Sequence, residues 1–268
     1  MFKHQDQDED YIHPLALARY INRKPVQWSR REILRWGGLG MAMLLGGCSE
    51  NVFTAENSDD GTTDTAGDGS CTVIPTETEG PYPASSVLTN SSIYRSNIVD
   101  GRTGAPLNLT LNLQDVNNSC AALENAAIYI WHCDAAGSYS GYSSSQNGSY
   151  AGYSFLRGVQ VTDAQGQVSF TTIYPGWYSG RITHVHFEVF LDNNLNSSPV
   201  KISQIAFPQS VTQTVYNSTY YSSHGQNTSV TSFSQDNVFS DGTTYQMATV
   251  SGSVSQGYSA VLNIGVSA

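Results

Sequence analysis

The sequence predicts an all-β domain, a sandwich of two sheets, carried behind an export segment and a polar stalk. Three observations predict it. Only 13% of the 268 residues are charged, while Gly, Ser, Thr, Asn and Tyr recur, a composition that favours strands and turns over long helices. Leu107-Asn108-Leu109-Thr110-Leu111-Asn112-Leu113 alternates apolar and polar, as a strand with one face on a core does. Beyond Cys71, no 10-residue stretch shows helical periodicity. The length suits one sizeable core rather than two large domains.

In chain order, residues 1–48 read as a signal of the twin-arginine type. Arg30 and Arg31 precede the apolar run 36–47, whose 12 residues fall short of the roughly 20 needed to span a bilayer. Leu45-Gly46-Gly47-Cys48 resembles a lipobox, so Cys48 would carry a lipid tether and the mature protein would be periplasmic or at the cell surface. About 28 residues precede the arginine pair, long for such a signal. Residues 49–70 hold Ser, Thr, Gly, Asp and Asn with almost no large apolar side chain, and read as a flexible acidic stalk. The folded domain is expected over 71–268.

Charge is divided unevenly between these parts. Seven of the 12 basic residues precede Cys48 and 17 of the 22 acidic ones follow it, which leaves the mature chain at 5 minus 17, or −12. Such a surface repels polyanions, so nucleic acid is excluded as a partner, and no polybasic patch is available for anionic lipid. Three cysteines follow the lipobox. Cys120 lies in the loop between strands expected at 107–115 and 127–134, which places Cys133 at the far end of its strand, roughly 20 Å away at about 3.3 Å per residue. Elimination pairs Cys71 with Cys120 and leaves Cys133 a small buried hydrophobe.

Further strands are expected at 157–163, 167–173, 182–190, 201–207, 245–250 and 257–266, with a hairpin turn over 163–167. His184-Val185-His186 is the sharpest local signal. Residues two apart on a strand share a face, about 6.6 Å apart, so two imidazoles can converge on one metal while Val185, Phe187 and Val189 pack the core. Taken alone, the pair also fits two half-exposed sheet histidines. His132 reads as a core histidine and His224 as a loop residue. The tyrosines over 139–153 fit either an aromatic pocket wall or ordinary packing.

Upstream, Tyr174-Pro175-Gly176-Trp177-Tyr178-Ser179-Gly180-Arg181 is a rigid turn that presents a tyrosine and an arginine beside the histidine pair. From here the chain, over roughly 71–268, resembles the intradiol ring-cleavage dioxygenases, the protocatechuate and catechol dioxygenase family. The resemblance implies Tyr178, His184 and His186 as metal ligands and Arg181 as a catalytic cation. Trp131 to Tyr139 reproduces the family's Trp strand followed by Gly-x-Tyr, which implies Tyr139 as the fourth ligand. Gly80-Pro81-Tyr82 and Gln204 match its substrate-pocket segments. Tyr129 departs from the pattern, standing where the family carries an acidic residue, and no N-terminal helical dimerisation segment is visible, so oligomeric state does not carry over.

The resemblance further implies a mononuclear site at loop and strand ends that holds Fe(3+) and cleaves a small aromatic diol with O2 to a muconate-type diacid. The ligand types agree with this. A tyrosine with pKa near 10 binds as phenolate only to a strong Lewis acid, whereas zinc would take the histidines and rarely a phenolate. Two readings from other classes remain open: a non-catalytic tethered module for catecholic compounds or their iron chelates, and a purely structural exported protein. A carboxylated substrate would need a cation. Besides Arg181, the candidates are Arg95, Arg102, Arg157 and Lys201.

Overall fold

The computed structural model describes residues 71–268; the signal expected at 1–48 and the stalk at 49–70 lie outside the described residues. In chain order the first strands are β1 (Pro106–Asp115), β2 (Ala121–Ala122), β3 (Ala127–Trp131), β4 (Ser143–Ser144) and β5 (Gly148–Ser149). β6 (Arg157–Val161), β7 (Gln167–Ile173), β8 (His184–Phe190) and β9 (Lys201–Ala206) follow, then helix α1 (Gln209–Tyr216), β10 (Thr249–Ser253) and β11 (Gly257–Val266).

Period-two burial builds the first sheet. Leu107, Leu109, Leu111 and Leu113 all turn inward from β1, which runs parallel to β11 with Leu113 opposite Ile264. β10 lies outside β11, while β7 and the short β2 share the other edge of β1. The second sheet, β6-β3-β8-β9, is antiparallel throughout. Ile128, Ile130, Val185, Phe187 and Val189 face the first sheet and complete the core between them. The expected two-sheet architecture is present.

The outer face of the second sheet is buried as well, beneath Leu88, Ile93 and Tyr139. All seven residues of β8 are consequently buried. This double burial separates the two faces of β8: valines and Phe187 into the core, His184 and His186 into the outer layer.

Several boundaries differ from expectation. The strand expected over 127–134 ends at Trp131, that over 182–190 begins at His184, and that over 245–250 is displaced to β10. The turn over 163–167 forms, with the Gly166 amide donating to the Asp163 carbonyl at 2.8 Å, but the hairpin does not. β6 pairs with β3 and β7 with β1. A tight turn sets only a local reversal; the edges of β1 and β3 offer the longer ladders, and pairing β6 with β7 would leave both unfilled. Helix α1 was not anticipated. Its eight residues are rich in Thr and Val, poor helix formers, and it is held by burial of Val215 and Tyr216.

Cys71 and Cys120 form a disulfide, with Cα atoms 5.6 Å apart, and Cys133 is a buried free thiol. From Cys71 the chain crosses the molecule. The Ile74 amide donates to the Gly265 carbonyl of β11, and the Glu77 amide to the Ile202 carbonyl of β9, which carries Thr78, Glu79 and Gly80 to the outer face of the second sheet.

Candidate metal centre

One cross-strand row organises the outer face. Arg157 on β6 pairs with Trp131 on β3, Trp131 with His186 on β8, and His186 with Gln204 on β9. The rings of Trp131 and His186 stack at 4.9 Å with planes 3° apart, so the sheet ladder itself fixes the plane of the imidazole. The backbone of Gly80 (φ 68°) also lies close to this ring, so that a Cβ there would come within 2.9 Å of His186 Cε1. Glycine is required at that approach.

The two tyrosines arrive on separate loops that lock into each other. Asp134 turns the chain after β3, its carboxylate accepting from the Ala136 and Ser138 amides. Asn147 then grips Tyr139 by accepting from its amide at 2.6 Å and donating to its carbonyl at 2.8 Å. The neighbouring loop carries Tyr178. A Cβ on Gly137 would lie 2.2 Å from the Trp177 carbonyl oxygen, and one on Gly176 would lie 2.3 Å from that of Asp134. His224 completes the clamp: its Nε2 sits 2.8 Å from the Trp177 carbonyl, its ring 4.3 Å from the indole, and the indole N–H donates to the Gly225 carbonyl.

The four groups meet at one point. Nε2 of His184 lies 3.0 Å from Nε2 of His186 and 3.4 Å from the Tyr139 hydroxyl. The ring of Tyr178 packs edge-on 5.6 Å from that of His184 and 5.7 Å from that of Tyr139, and its buried hydroxyl has no hydrogen-bond partner. His184 Nδ1 lies 2.6 Å from the Ile182 carbonyl. That oxygen can only accept, so Nδ1 carries the proton and Nε2 keeps its lone pair for a ligand.

Burial dominates the electrostatics. It pushes both imidazoles well below their ordinary value, helped for His184 by the Arg181 charge and for His186 by its histidine neighbour. It acts oppositely on the phenols: Tyr178 is pushed up to about 12, with the Arg181 charge opposing, and Tyr139 is raised well above its ordinary value. Two neutral imidazoles and two neutral phenols therefore face one another with too few complementary partners, a deficit that a cation would remove. Ligand atoms each about 2.1 Å from a shared metal lie about 3.0 to 3.4 Å apart at angles between about 90° and 110°. The 3.0 and 3.4 Å separations fall there. Among the described residues no group of three or more His, Cys, Asp or Glu is placed to hold a metal, so a ligand set at this point needs the tyrosines. Such a donor set fits ferric iron better than zinc.

A protein-family model for dioxygenases matches residues 79–221, over half of the chain and all four of these side chains. An intradiol ring-cleavage dioxygenase from Tetranychus urticae is 32% identical, with a TM-score of 0.63 over 73% of this chain and 95% of that one. The chain belongs to the intradiol ring-cleavage dioxygenase family. A further dioxygenase structure is 31% identical, with a TM-score of 0.62 over 73% of this chain and 94% of that one. No curated protein sequence matches it.

The remaining candidates in this family member surround the four-group cluster. Tyr82 stacks on Tyr139 at 4.7 Å and meets Tyr142 and Tyr178 edge-on. Pro81 is exposed beside it. Gln204 is a bridge: its carbonyl accepts from Arg181 Nη2 at 2.6 Å and its amide donates to the Thr78 carbonyl at 3.0 Å. Arg181 is also paired with Asp236, Nε to Oδ2 at 3.0 Å. Tyr129, the departure from the family pattern, lies 2.9 Å from Arg157 Nη1 and 2.9 Å from the Pro83 carbonyl, so the phenol takes up one arginine donor and anchors the Tyr82 segment. His132 is a buried core residue bonded to Thr172. Sequence reasoning missed Asp236 and Asn147 and placed His224 in a loop without a role.

Proposed function

We propose that this protein is an intradiol dioxygenase that cleaves a catechol-type ring between its two hydroxylated carbons, using Fe(3+) held by Tyr139, Tyr178, His184 and His186. The observation that carries this is the convergence of two phenols and two neutral imidazoles in a chain of this family, with the Tyr178 hydroxyl left without a partner. Ferric iron held by these residues would supply Lewis acidity towards the two catechol oxygens. Both atoms of O2 enter the product, so no external reductant is consumed.

The protein's own groups do the rest. Held as the phenolate in the loaded site, Tyr178 Oη would accept a substrate proton on release, because burial favours its neutral form. Arg181, fixed by Asp236 and Gln204, is a preorganised cation for negative charge that develops on the ring. Trp131 stacks on the His186 ring and Gly80 leaves room at its Cε1, while Tyr82 and Tyr142, set edge to face, line the approach for the substrate. Residues 1–48 belong to the same proposal as an export signal of the twin-arginine type with Cys48 as a lipid tether, which would place the enzyme outside the cytoplasm.

The test is the visible spectrum of the full-length, iron-loaded protein before and after anaerobic catechol, followed by air. A tyrosinate-to-iron band, shifted by catechol and bleached as diacid forms, is expected. Unchanged turnover in a Tyr178→Phe or His184→Ala variant would remove the ligand assignment. A band without turnover would leave a catechol-binding module.

A further inference from the structure

We propose that this site selects uncharged catechols and rejects those that carry a carboxylate, because every cation among the described residues is already committed to a partner. The inference deepens the dioxygenase reading and rests on it. A buried carboxylate needs a charged or multiply hydrogen-bonding partner, and a site without one pays for its desolvation in full.

Five basic side chains follow Cys71, and each can be accounted for. Arg157 is fully buried in the wall beneath Tyr82. Nε lies on Ser140, Nη1 on Pro83 and Tyr129, and Nη2 on Tyr82 and Ser140, which uses all five of its donors. Arg181 is paired through Nε with Asp236, a fully buried carboxylate, and through Nη2 with Gln204, and what remains of it serves the reacting ring beside Tyr178, so it is not a free counter-charge for a ring substituent. Arg102 is bound to Asp134 and lies over the Phe155 ring at 4.1 Å. Arg95 pairs with Asp100 and donates to the Ser154 carbonyl at 2.6 Å. Lys201 donates to Thr76 and stands three residues along β9 from Gln204, about 10 Å from the His186 row.

The mouth of the site carries the opposite sign. Glu79 immediately precedes Gly80, whose backbone lies on the His186 ring, and its charge adds to burial in raising the Tyr142 phenol. Beside it the partly exposed lining is tyrosine: Tyr82, Tyr142 and Tyr178. An aromatic, acid-rimmed opening accepts a neutral ring and opposes an anionic one.

The experiment compares 3,4-dihydroxybenzoate with its methyl ester on the full-length, iron-loaded protein. Anaerobic calorimetry reads binding, and oxygen uptake reads turnover. The ester is larger and withdraws electrons more strongly, so neither size nor reactivity towards dioxygen can produce a preference for it in turnover, and its small gain in hydroxyl acidity falls short of the preference expected in binding. We expect the ester to be favoured ~100-fold or more in both readouts, the scale of one charged group left without a partner. In Glu79→Lys the acid-to-ester ratio should rise about tenfold. Equal or better binding of the acid by the wild-type protein, with turnover, overturns the charge selection and leaves the dioxygenase reading intact. Selective binding of the ester without turnover does the reverse, and failure to bind either overturns both.

Discussion

Replacing Asp236 by Asn tests how Arg181, the cation of the proposed mechanism, is held. One oxygen of Asp236 accepts from Arg181 Nε at 3.0 Å and the Ile182 amide at 2.7 Å, and the other from the Val238 and Phe239 amides. The carboxylate is fully buried and the guanidinium nearly so. Asparagine keeps one acceptor and turns an NH2 group towards two donors, which leaves a buried arginine without its counter-charge. Breaking one side of such a pair costs about 3–5 kcal/mol, and at about 2–4 °C per kcal/mol for a domain of this size the melting temperature should fall by roughly 6–20 °C. Burial alone would raise the Asp236 carboxyl, but the hydrogen bonds from Arg181 and Ile182 prevail and hold it below 3.8. A depressed carboxyl stabilises the fold above its ordinary value and ceases to do so as pH falls through its folded value. The gap between wild type and Asp236→Asn should therefore be full at pH 7 and shrink below about pH 4. Thermal unfolding followed by circular dichroism reads both, with an Arg181→Met/Asp236→Asn double variant as control. The double variant should be less destabilised than the sum of its parts by about 1.5 kcal/mol or more. A single variant within 1 kcal/mol of wild type, or a gap that ignores pH, would refute the reasoning.

Two further perturbations follow from the same geometry. Gly137→Ala places a methyl group 2.2 Å from the Trp177 carbonyl at φ 86°, so the loops bearing Tyr139 and Tyr178 must separate; a loss of about 2–5 kcal/mol in denaturant unfolding is expected, together with a weakened tyrosinate-to-iron band, and an unchanged band would show that the interlock does not position the phenols. Glu77, hydrogen-bonded to Gln246, is pushed up to about 7 by burial. A carboxyl raised in this way contributes most below its ordinary 4.5 and loses that contribution as pH rises through about 7. Glu77→Gln should therefore gain about 1 kcal/mol over wild type at pH 8, discounted because the side chain is partly exposed, and nothing at pH 4. A difference independent of pH would sink that assignment.

What could be read from the sequence is what depends on short spacing. His184 and His186 share a face because strand periodicity is two, and they do so whatever surrounds β8. Tyr178 and Arg181 are presented by a turn whose Pro and Gly encode its shape locally, and β1 and β11 show their core faces in alternate residues. The misses share the opposite character. The turn over 163–167 was correctly read as a turn, yet which strand each arm would join depended on edges offered by β1 and β3, far away in sequence. Helix α1 exists because Val215 and Tyr216 are buried by the rest of the domain, against the propensity of its own residues.

The same division runs through the site and explains why its chemistry was more legible than its tuning. Three of the four groups that meet there lie within nine residues of one another, 178 to 186, and the fourth follows the strand that pairs with theirs. Their orientation is controlled from farther off. Asp236 stands 55 residues from Arg181, His224 47 from Trp177, and Gln204 126 from the Thr78 carbonyl it holds. Asp236 and His224 have no spacing that a period or motif would reveal, because each arrives on a loop whose path is set by packing; Gln204 stands on β9 in a recognisable segment, but the Thr78 carbonyl it holds is not marked by any spacing. Substrate charge preference belongs to this second class. On the proposed reading it turns on how the partners of Arg157 and Arg181 hold their donors, so changes at Asp236, Gln204 or Tyr129 alone should alter the catechol accepted while Tyr139, Tyr178, His184 and His186 stay the same.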